Sequence, residues 1–300
     1  MAIKVSIIVP NLHSPTVCET LKSLRGQDYP GEFEIIVVGQ DRYGQVEEVE
    51  RTRFIVTPEP VSPAIARNIG IREARGDIIV FTDADCIARP DWLARLTKPF
   101  QNPNVRVVGG GVSFPDKNYW TMCDNLASFY PYLSSGNPGF RDELPSLNLS
   151  VRKSALEQVG NFDERYPAPA GEDADLTTRL RLQGNDLHFV PDAIINHHPR
   201  RKYLADMFKH SYQFGRYSIR VDHRYQDILN VPWPLKNWWA TLLFSPLLAG
   251  GVTLRVIGQI GWKWRWWLAL PVVFFAKVSW CIGASRTLRE GSPLETKKTE

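Results

Sequence analysis

The chain has 300 residues, of which 43% are hydrophobic and 23% are charged, so it can bury a sizeable core and global disorder is excluded. Its 4 cysteines are scattered without a Cys-x-x-Cys pair, which excludes a disulfide scaffold and a cysteine zinc site and favours a reducing compartment. The first residues enter a strand-like run directly, so no secretion signal is predicted and the chain is expected to begin in the cytosol.

The net charge of +4 hides an asymmetry along the chain. Residues 1–200 carry 21 Lys and Arg against 26 Asp and Glu, whereas residues 201–300 carry 15 against 6, together with 8 of the 10 tryptophans. Because the same basic segment contains long apolar runs, it indicates contact with a membrane rather than with nucleic acid. A basic surface helix with a few core tryptophans is the alternative.

The first hundred residues alternate strand-like and helix-like segments. Short apolar runs predict strands at 5–9, 34–38, 54–56 and 77–81, and helices are predicted at about 16–25 and 65–74. Continuous apolar strands separated by helices predict an α/β fold whose parallel sheet is buried on both faces. Ligands of such sheets bind beyond the carboxyl ends of the strands, so functional residues are expected after Val9, Val38 and Phe81.

The next hundred residues are less regular. Residues 105–112 predict another strand, which runs into a flexible glycine stretch, and residues 113–145 show no clean period. A short strand is predicted at 148–150 and a helix at 153–159. A further helix is predicted from Gly171 to about Leu182, because its acidic first residues suit the positive N-terminal end of a helix.

Two apolar stretches follow, at 238–254 and 266–284, and the second is interrupted only by Lys277. Both are at the short end of the roughly 20 residues that cross a bilayer, and Pro246 weakens the first as a straight helix. A membrane-spanning hairpin, helices lying in the membrane interface and a buried soluble hairpin all remain open. A spanning hairpin would keep Lys297 and Lys298 inside but would place the connecting basic residues outside, against the positive-inside tendency.

Two aspartates directly follow the predicted strand at 77–81. Asp83 and Asp85 stand at i and i+2, so in extended chain both side chains would point the same way. Two carboxylates at a sheet edge suit a divalent cation such as Mg²⁺ or Mn²⁺, which also binds phosphate oxygens. An Asp-rich turn is the alternative.

Several segments between about residues 5 and 220 together resemble the motifs of the family 2 glycosyltransferases of the GT-A fold. In chain order they are SIIVPN (6–11), ARNIG (66–70), ARGDIIVFTDAD (74–85), NLSVRK (148–153), GNFDE (160–164), GEDADL (171–176) and PDAIINHH (191–198). The resemblance implies a Rossmann-like, mostly parallel central sheet in a catalytic domain at 1–200. An amphipathic acceptor-side linker at 201–235 and a membrane-associated helical hairpin with a basic tail at 236–300 are predicted to follow.

The resemblance implies inverting transfer of a sugar from a nucleoside diphosphate, expected to be UDP, to an acceptor hydroxyl. Mn²⁺ or Mg²⁺ would act on the diphosphate as a Lewis acid. Asp173 would be the general base, chosen over Glu172 from the family pattern alone, with Glu172 on the acceptor side. The implied metal ligands are Asp85, Asp83 and His197, with His198 in reserve. The implied donor-binding residues are Pro10, Asn11, Asp41, Arg67, Asn68 and Asp83.

The chain departs from the family pattern after the second strand. The family usually has an acidic pair there, whose first member reads the nucleotide base, but this chain has Gly39, Gln40 and Asp41. Either Asp41 or Gln40 is therefore expected to contact the base, unless base recognition differs. The departure bears on the identity of the nucleotide more than on the reaction.

Residues 213–217, QFGRY, resemble the Gln-x-x-Arg-Trp motif of processive polysaccharide synthases. Gln213, Arg216 and Tyr217 are accordingly predicted to lie on the acceptor side. Two apolar segments cannot form the channel that polymer extrusion needs, so addition of a single sugar is expected. An amphipathic helix that directs cations towards lipid headgroups is the alternative.

The sequence thus predicts a membrane-associated glycosyltransferase on the cytoplasmic face of the cell membrane. Its partners would be a nucleotide-sugar donor and a lipid-linked or other saccharide acceptor in surface polysaccharide synthesis. A catalytically inactive partner subunit of the same fold is the main alternative. A nucleotidyltransferase is disfavoured, because residues 10–15 do not form a Gly-rich phosphate loop.

Overall fold

The computed structural model of the chain describes residues 4–49, 51–114, 118–261 and 263–291. The chain divides into two compact units. The first unit comprises residues 1–114, 132–167 and 173–198, and the second comprises 115–131, 168–172 and 199–300. The end of the predicted basic tail, including Lys297 and Lys298, lies outside the described residues.

The first unit is built on a mixed sheet. Its strands are β1 (Val5–Leu12), β2 (Phe33–Gln40), β3 (Thr52–Val56), β4 (Ile78–Thr82), β5 (Cys86–Ala88), β6 (Val107–Ser113), β7 (Gly139–Phe140), β8 (Asn148–Arg152) and β9 (Leu187–His197). The order is β3-β2-β1-β4-β8-β6-β9-β5, with β7 paired to β9. The strands β1 to β4 are mutually parallel, as predicted, and β8 runs antiparallel to both β4 and β6.

Helices cover the sheet because its central strands are apolar on both faces. The helices of this unit are α1 (Val17–Arg25), α2 (Pro63–Glu73), α3 (Trp92–Thr97), α5 (Lys153–Val159) and α6 (Glu172–Leu182). Ile8, Ile79 and Phe81 on the strands share one core cluster with Ile71 of α2 and Leu176 of α6. Helix α2 begins where Ser62 accepts a hydrogen bond from the backbone N–H of Ile65, ahead of a proline in the first turn.

The glycine stretch predicted to be flexible is instead a buried part of β6. A Cβ on Gly110 would lie 2.3 Å from the carbonyl oxygen of Ala193, and one on Gly111 would lie 2.1 Å from that of Pro191. The register between β6 and β9 also shifts between these two glycines. Glycine is therefore required here because the two strands approach too closely for any side chain.

A helix that the sequence pattern does not reveal, α4 (Tyr119–Phe129), lies in the irregular region after residue 113. The side chain of Asn118 caps it by accepting a hydrogen bond from the backbone N–H of Thr121 at 3.0 Å. Residues 121–127 are all buried, so α4 has no solvent-exposed face over these turns. Its sequence consequently lacks the one-sided period of an amphipathic helix.

The second unit also contains α7 (Leu204–Arg224), α8 (Trp238–Leu243), α9 (Ser245–Ile260) and α10 (Trp264–Glu290). The first predicted apolar stretch is divided between α8 and α9 at Phe244, where a proline enters the first turn of α9. Within the described ranges, α10 is the one helix whose length and composition would allow it to cross a membrane.

Helices α7 and α10 are in backbone contact. A Cβ on Gly215 would lie 2.0 Å from the carbonyl oxygen of Trp280, and one on Gly283 would lie 2.0 Å from that of Tyr212. Hydroxyl groups add to the contact, since Thr287 Oγ1 donates to the α7 backbone at 2.8 Å. One face of the apolar helix α10 is therefore covered by a helix that carries many charges.

Candidate active site

The centre of the site is a carboxylate–imidazole pair formed by Asp85 and His197. Antiparallel pairing of β5 with β9 places Cys86 opposite His197, and the backbone N–H of His198 donates to the carbonyl oxygen of Asp85 at 2.9 Å. These contacts bring Nε2 of the buried His197 to 3.7 Å from Oδ2 of Asp85. The pairing thus unites residues that are far apart in sequence.

This pair fits a divalent cation. With metal–ligand bonds of about 2.1 Å, two ligands of one octahedral ion lie roughly 3–4 Å apart, and the observed separation falls in that range. A carboxylate oxygen with a neutral imidazole suits Mn²⁺, and the carboxylate also suits Mg²⁺. The residues present therefore fit the metal that the sequence predicts.

Cys86 is a neighbour that the sequence reading missed. Its Sγ and the ligand atoms of Asp85 and His197 all lie within 4.8 Å of one another. Burial, followed by the nearby charges of Asp85 and Asp83, raises the pKa of the Cys86 thiol well above its usual value. The protonated thiol is a poor ligand for a hard cation. In the sequence, the position of Cys86 directly after Asp85 is the only sign that it lies in this cluster.

Asp83 faces Arg67 rather than sharing an extended segment with Asp85. Residues 83–85 form a turn in which the backbone N–H of Cys86 donates to the carbonyl oxygen of Asp83 at 3.1 Å, so the extended geometry expected for the pair is wrong. Burial and the nearby Asp85 raise the pKa of Asp83, whereas Arg67 and His197 oppose that shift. The two carboxylates are thus close enough to interact electrostatically.

Arg67 is buried on α2, with 3% of its surface exposed. Its Nη2 lies 2.9 Å from Oδ1 of Asp83, and its guanidinium lies over the Phe162 ring at 5.4 Å from the centroid. A buried guanidinium held between a carboxylate and an aromatic face keeps a fixed orientation. It places a permanent positive charge at the carboxyl end of β4.

Asn68, a predicted donor-binding residue, joins two of the sequence motifs. Its Nδ2 donates to the carbonyl oxygen of Phe162 and to Oε1 of Glu164, both at 2.9 Å, and its Oδ1 accepts from the Phe162 N–H at 3.0 Å. These three bonds occupy both amide hydrogens and the amide oxygen. Asn68 therefore holds the 160–164 segment against α2.

Asp173 lies in the first turn of α6. Its Oδ2 accepts from the backbone N–H of Ser146 at 3.1 Å and lies 3.4 Å from the Ser146 hydroxyl. Asn148, two residues after Ser146, is paired with Thr82, which directly precedes Asp83. The sheet register therefore carries Asp173 to the same end of the sheet as the aspartates.

Glu172 has a different environment from its neighbour. It is buried, and its Oε2 accepts a hydrogen bond from the backbone N–H of Ala170 at 2.8 Å. That bond closes the loop that leads into α6. Of the two adjacent acids, Asp173 is the more exposed.

The ends of β1 and β2 form the predicted nucleotide loop. Pro10 and Asn11 lie within β1, and Asn11 donates to the carbonyl oxygen of Gln40 at 2.9 Å and accepts from the Ser14 N–H at 3.1 Å. The carboxylate of Asp41 accepts from the backbone N–H groups of Tyr43 and Val46 at 3.1 and 2.7 Å. Both polar side chains thus fix the loops at this edge.

The other predicted acceptor-side residues, besides Glu172, lie on α7 in the second unit. Gln213 is exposed, Arg216 forms an ion pair with Glu290 of α10, and the ring of Tyr217 lies under the Arg220 guanidinium at 5.0 Å. The glycine of the QFGRY segment makes the close approach to α10 described above. Part of this motif therefore serves packing within the second unit.

Comparison with known proteins decides the family. The model of glycosyl transferase family 2 matches residues 6–144, and that of glycosyl transferase family group 2 matches residues 78–280. The chain belongs to glycosyl transferase family 2. The motifs quoted from the sequence and the GT-A fold of the first unit agree with this membership, which supports glycosyl transfer as the reaction class of the chain.

Several proteins that the chain resembles are named as glycosyltransferases. The chain is 28% identical to glycosyltransferase AglE of Haloferax volcanii over 72% of this chain and 73% of that protein. It is 24% identical to an N-acetylglucosaminyltransferase of Bradyrhizobium diazoefficiens over 94% of this chain but only 63% of that protein. The structure of a mannosyltransferase from Pyrobaculum calidifontis in complex with GDP-Man and Mn²⁺ matches with a TM-score of 0.61 and 21% identity, covering 92% of this chain and 86% of that one. This last likeness supports the GT-A fold.

Proposed function

We propose that the chain transfers a sugar from a nucleoside-diphosphate sugar to an acceptor hydroxyl, with inversion and with a divalent metal. The carrying observation is the pair of Asp85 and His197, whose ligand atoms are 3.7 Å apart at the carboxyl end of β4. A metal bound there would neutralise charge on the leaving diphosphate. A structural neighbour solved with GDP-Man and Mn²⁺ supports both the donor class and the metal.

The residues around this pair supply charge and orientation. Arg67, fixed by Asp83 and Phe162, can donate charge-assisted hydrogen bonds to a phosphate oxygen without losing side-chain entropy on binding. Asn68 supports this arrangement by holding the segment that contains Phe162. UDP remains the proposed nucleotide, with Asp41 or Gln40 near the base.

Asp173 is the proposed general base. Hydrogen bonds from Ser146 orient its carboxylate, and its neighbour Glu172 is occupied in closing the preceding loop. Asp173 would accept the proton of the acceptor hydroxyl while that hydroxyl attacks the anomeric carbon from the face opposite the diphosphate. Attack from that face inverts the configuration at the anomeric carbon.

We further propose that the second unit lies in the interface of the cytoplasmic membrane leaflet rather than crossing it. Large apolar side chains are exposed along α8, α9 and α10, but α7, with its many charges, covers one face of α10. A helix covered in this way cannot be surrounded by lipid, whereas exposed aromatics suit the headgroup region. The Lys263 amine between α9 and α10 should therefore not react with a membrane-impermeant reagent added outside sealed cells. Reaction there would instead support a span.

A membrane-bound enzyme with a cytosolic donor is suited to an acceptor held at the same surface. We therefore propose a lipid-linked saccharide as the acceptor and addition of a single sugar per reaction. Glu172, Gln213, Arg216 and Tyr217 remain the proposed acceptor-side residues. Membrane extract is accordingly a suitable source of acceptor for measuring transfer.

The deciding experiment measures release of nucleoside diphosphate from a panel of nucleotide sugars, with and without Mn²⁺ or Mg²⁺. The intact protein is compared with Asp85→Ala and with the matched control Asp192→Ala, an exposed carboxylate on the same strand as His197. We expect turnover of one donor that requires the metal, persists in the control and is lost in Asp85→Ala. Absence of turnover with every donor and with membrane extract would favour the inactive partner subunit.

A further inference from the structure

The second unit contains a cavity of about 290 Å³ between α9, α10 and the turn at Trp233–Lys236. Its walls are largely apolar, with Leu247 and Val252 on α9 and Trp280 on α10. This volume is close to the lower end of the range for small-molecule sites. None of the residues proposed for catalysis lines it.

The charged residues that line the cavity are both cations, Arg255 and Lys277, and among the described lining residues there is no carboxylate. Lys277 is the single charged residue in the apolar stretch 266–284. No described residue forms a hydrogen bond or ion pair with it, although Asp124 acts on it electrostatically. An ammonium withdrawn from water without a directly bonded counter-ion is costly, so an incoming anion would be stabilised there.

Burial lowers the pKa of Lys277 to about 8, so the amine is mostly protonated at neutral pH. The cavity is also continuous with the exposed apolar surface of this unit, because Leu247 both lines it and is 72% exposed. A ligand can therefore enter from the same face that we propose contacts the membrane. An apolar wall, an open apolar rim and two cations together suit an amphiphilic ligand with an anionic headgroup.

We propose that this cavity binds an anionic membrane lipid, with part of a hydrocarbon chain against Leu247, Val252 and Trp280 and the phosphate beside Arg255 and Lys277. The inference takes from the proposed function only the membrane-facing surface of this unit. It is tested by binding without any sugar transfer, so its failure and the failure of the enzymatic proposal are distinguishable.

Two adjacent glycines of α9 provide a matched pair of variants. A Cβ on either Gly250 or Gly251 would meet no atom within 4 Å, but only Gly251 lines the cavity. Gly251→Leu should fill the site, whereas Gly250→Leu places the same side chain outside it. Both changes raise helix propensity, so a difference between them in binding reflects the cavity.

Isothermal titration calorimetry on the full chain, with decyl phosphate below its micelle concentration, measures the affinity. We expect Gly251→Leu to weaken binding by at least about tenfold and Gly250→Leu to leave it within about twofold of the parent. Lys277→Met should weaken binding several-fold while leaving the weaker binding of uncharged decyl maltoside unchanged. Melting curves confirm that each variant is folded.

Three results would overturn the proposal. Equal affinity of the parent and Gly251→Leu would show that the probe does not occupy this cavity. Equal affinity for decyl phosphate and decyl maltoside would remove the role of the two cations. Binding of inorganic phosphate as tight as that of decyl phosphate would indicate a simple anion site.

Discussion

The guanidinium Nη2 of Arg67 lies 2.9 Å from Oδ1 of Asp83, and this contact holds a positive charge against the residue two positions before the proposed metal ligand Asp85. The arginine is almost fully buried, whereas a third of the Asp83 side chain is exposed. Water therefore solvates the two charges unequally. Loss of the Asp83 carboxylate takes an ionic contact from a buried guanidinium, whereas an Asp83 without Arg67 stays partly hydrated.

This asymmetry gives the first prediction. Arg67→Met should lower the free energy of unfolding by roughly 1–3 kcal/mol and Asp83→Asn by a similar or larger amount, because the second change removes a carboxylate charge from beside a buried cation. The double variant should lose less than the sum of the two, as contacting partners do in a double-mutant cycle. Urea unfolding without added metal measures all three. Strict additivity would show that the ion pair contributes nothing to stability.

The second prediction concerns Gly39, where the family usually has an acid. Its φ is +133°, and a Cβ there would lie 2.0 Å from the carbonyl oxygen of Asn11 on β1. Gly39→Ala should therefore destabilise the protein by roughly 2–4 kcal/mol, since strain and a backbone clash combine. Gly44→Ala is the control, because its φ is +64° but no atom lies near, and a cost of about 1 kcal/mol is expected.

Thermal unfolding of the two variants provides the measurement. Equal melting temperatures for the two alanine variants would contradict the clash. If the expected order is observed, the missing acid is explained by the backbone, because no side chain fits between β1 and β2 at this point. Recognition of the base must then come from residues after Gly39, of which Asp41 and Gln40 are the proposed candidates.

The sequence predicted those parts of the site that depend on local patterns. Apolar runs located the parallel strands, and the position of Asp85 after β4 indicated the edge at which we propose a metal, because both are properties of neighbouring residues. The partner His197 followed from the family resemblance alone. Its approach to Asp85 depends on the pairing of β5 with β9, which joins strands more than a hundred residues apart.

Long-range packing also explains what the sequence reading missed. The glycines of β6 looked flexible because nothing local shows the carbonyl oxygens of β9 beside them. Helix α4 lacked an amphipathic period because tertiary contacts bury most of its sides. Asn68 stays a predicted donor-binding residue, and its bonds to Phe162 and Glu164 could not be read from the sequence. In each case a distant segment decides the role of a residue.

The third prediction concerns the stability of the second unit in acid. Asp124 on α4 is fully buried and accepts hydrogen bonds from Arg201 at 2.5 Å and from His210 at 2.8 Å. Burial alone would raise the pKa of Asp124, but these two partners outweigh it and lower the pKa to about 2. The folded protein therefore binds this proton less readily than the unfolded chain does.

A lowered carboxyl pKa stabilises the fold above the ordinary value of 3.8, and that contribution is lost as the pH falls towards 2. It amounts to about 2 kcal/mol at neutral pH, of which roughly half remains at pH 3. Asp124→Asn should be clearly less stable than the parent at pH 7, and the difference should shrink by about 1 kcal/mol at pH 3. Denaturant unfolding at several pH values measures this.

Asp91→Asn is the control for this series, because Asp91 also pairs with an arginine but its side chain is 45% exposed. Solvent screens that pair, so only a few tenths of a kcal/mol are expected. A stability difference between Asp124→Asn and the parent that does not change with pH would contradict the assignment. It would indicate that packing, rather than the charge of Asp124, stabilises this cluster.

The fourth prediction separates chemistry from binding at Asp173. Asn can still accept the hydrogen bond from the Ser146 N–H, so Asp173→Asn should fold normally and bind the donor with unchanged affinity. It cannot take up a proton from the acceptor, so the transfer rate should fall about 10²–10⁴-fold. Rapid-quench measurement of a single turnover, with donor affinity measured separately by titration, tests both statements.

The neighbouring Asp175 is the control. If both acids had a purely structural role, their asparagine variants would behave alike. Asp175 is fully buried and bonded to Arg179 at 2.8 Å, so Asp175→Asn should lower the melting temperature but leave the rate per folded molecule close to that of the parent. Asp173→Asn should show the opposite pattern. If Asp173→Asn instead turns over at the parental rate, the proton acceptor is another group. If it loses donor affinity in proportion to rate, Asp173 acts in binding, and the proposed order of events at the acceptor hydroxyl fails.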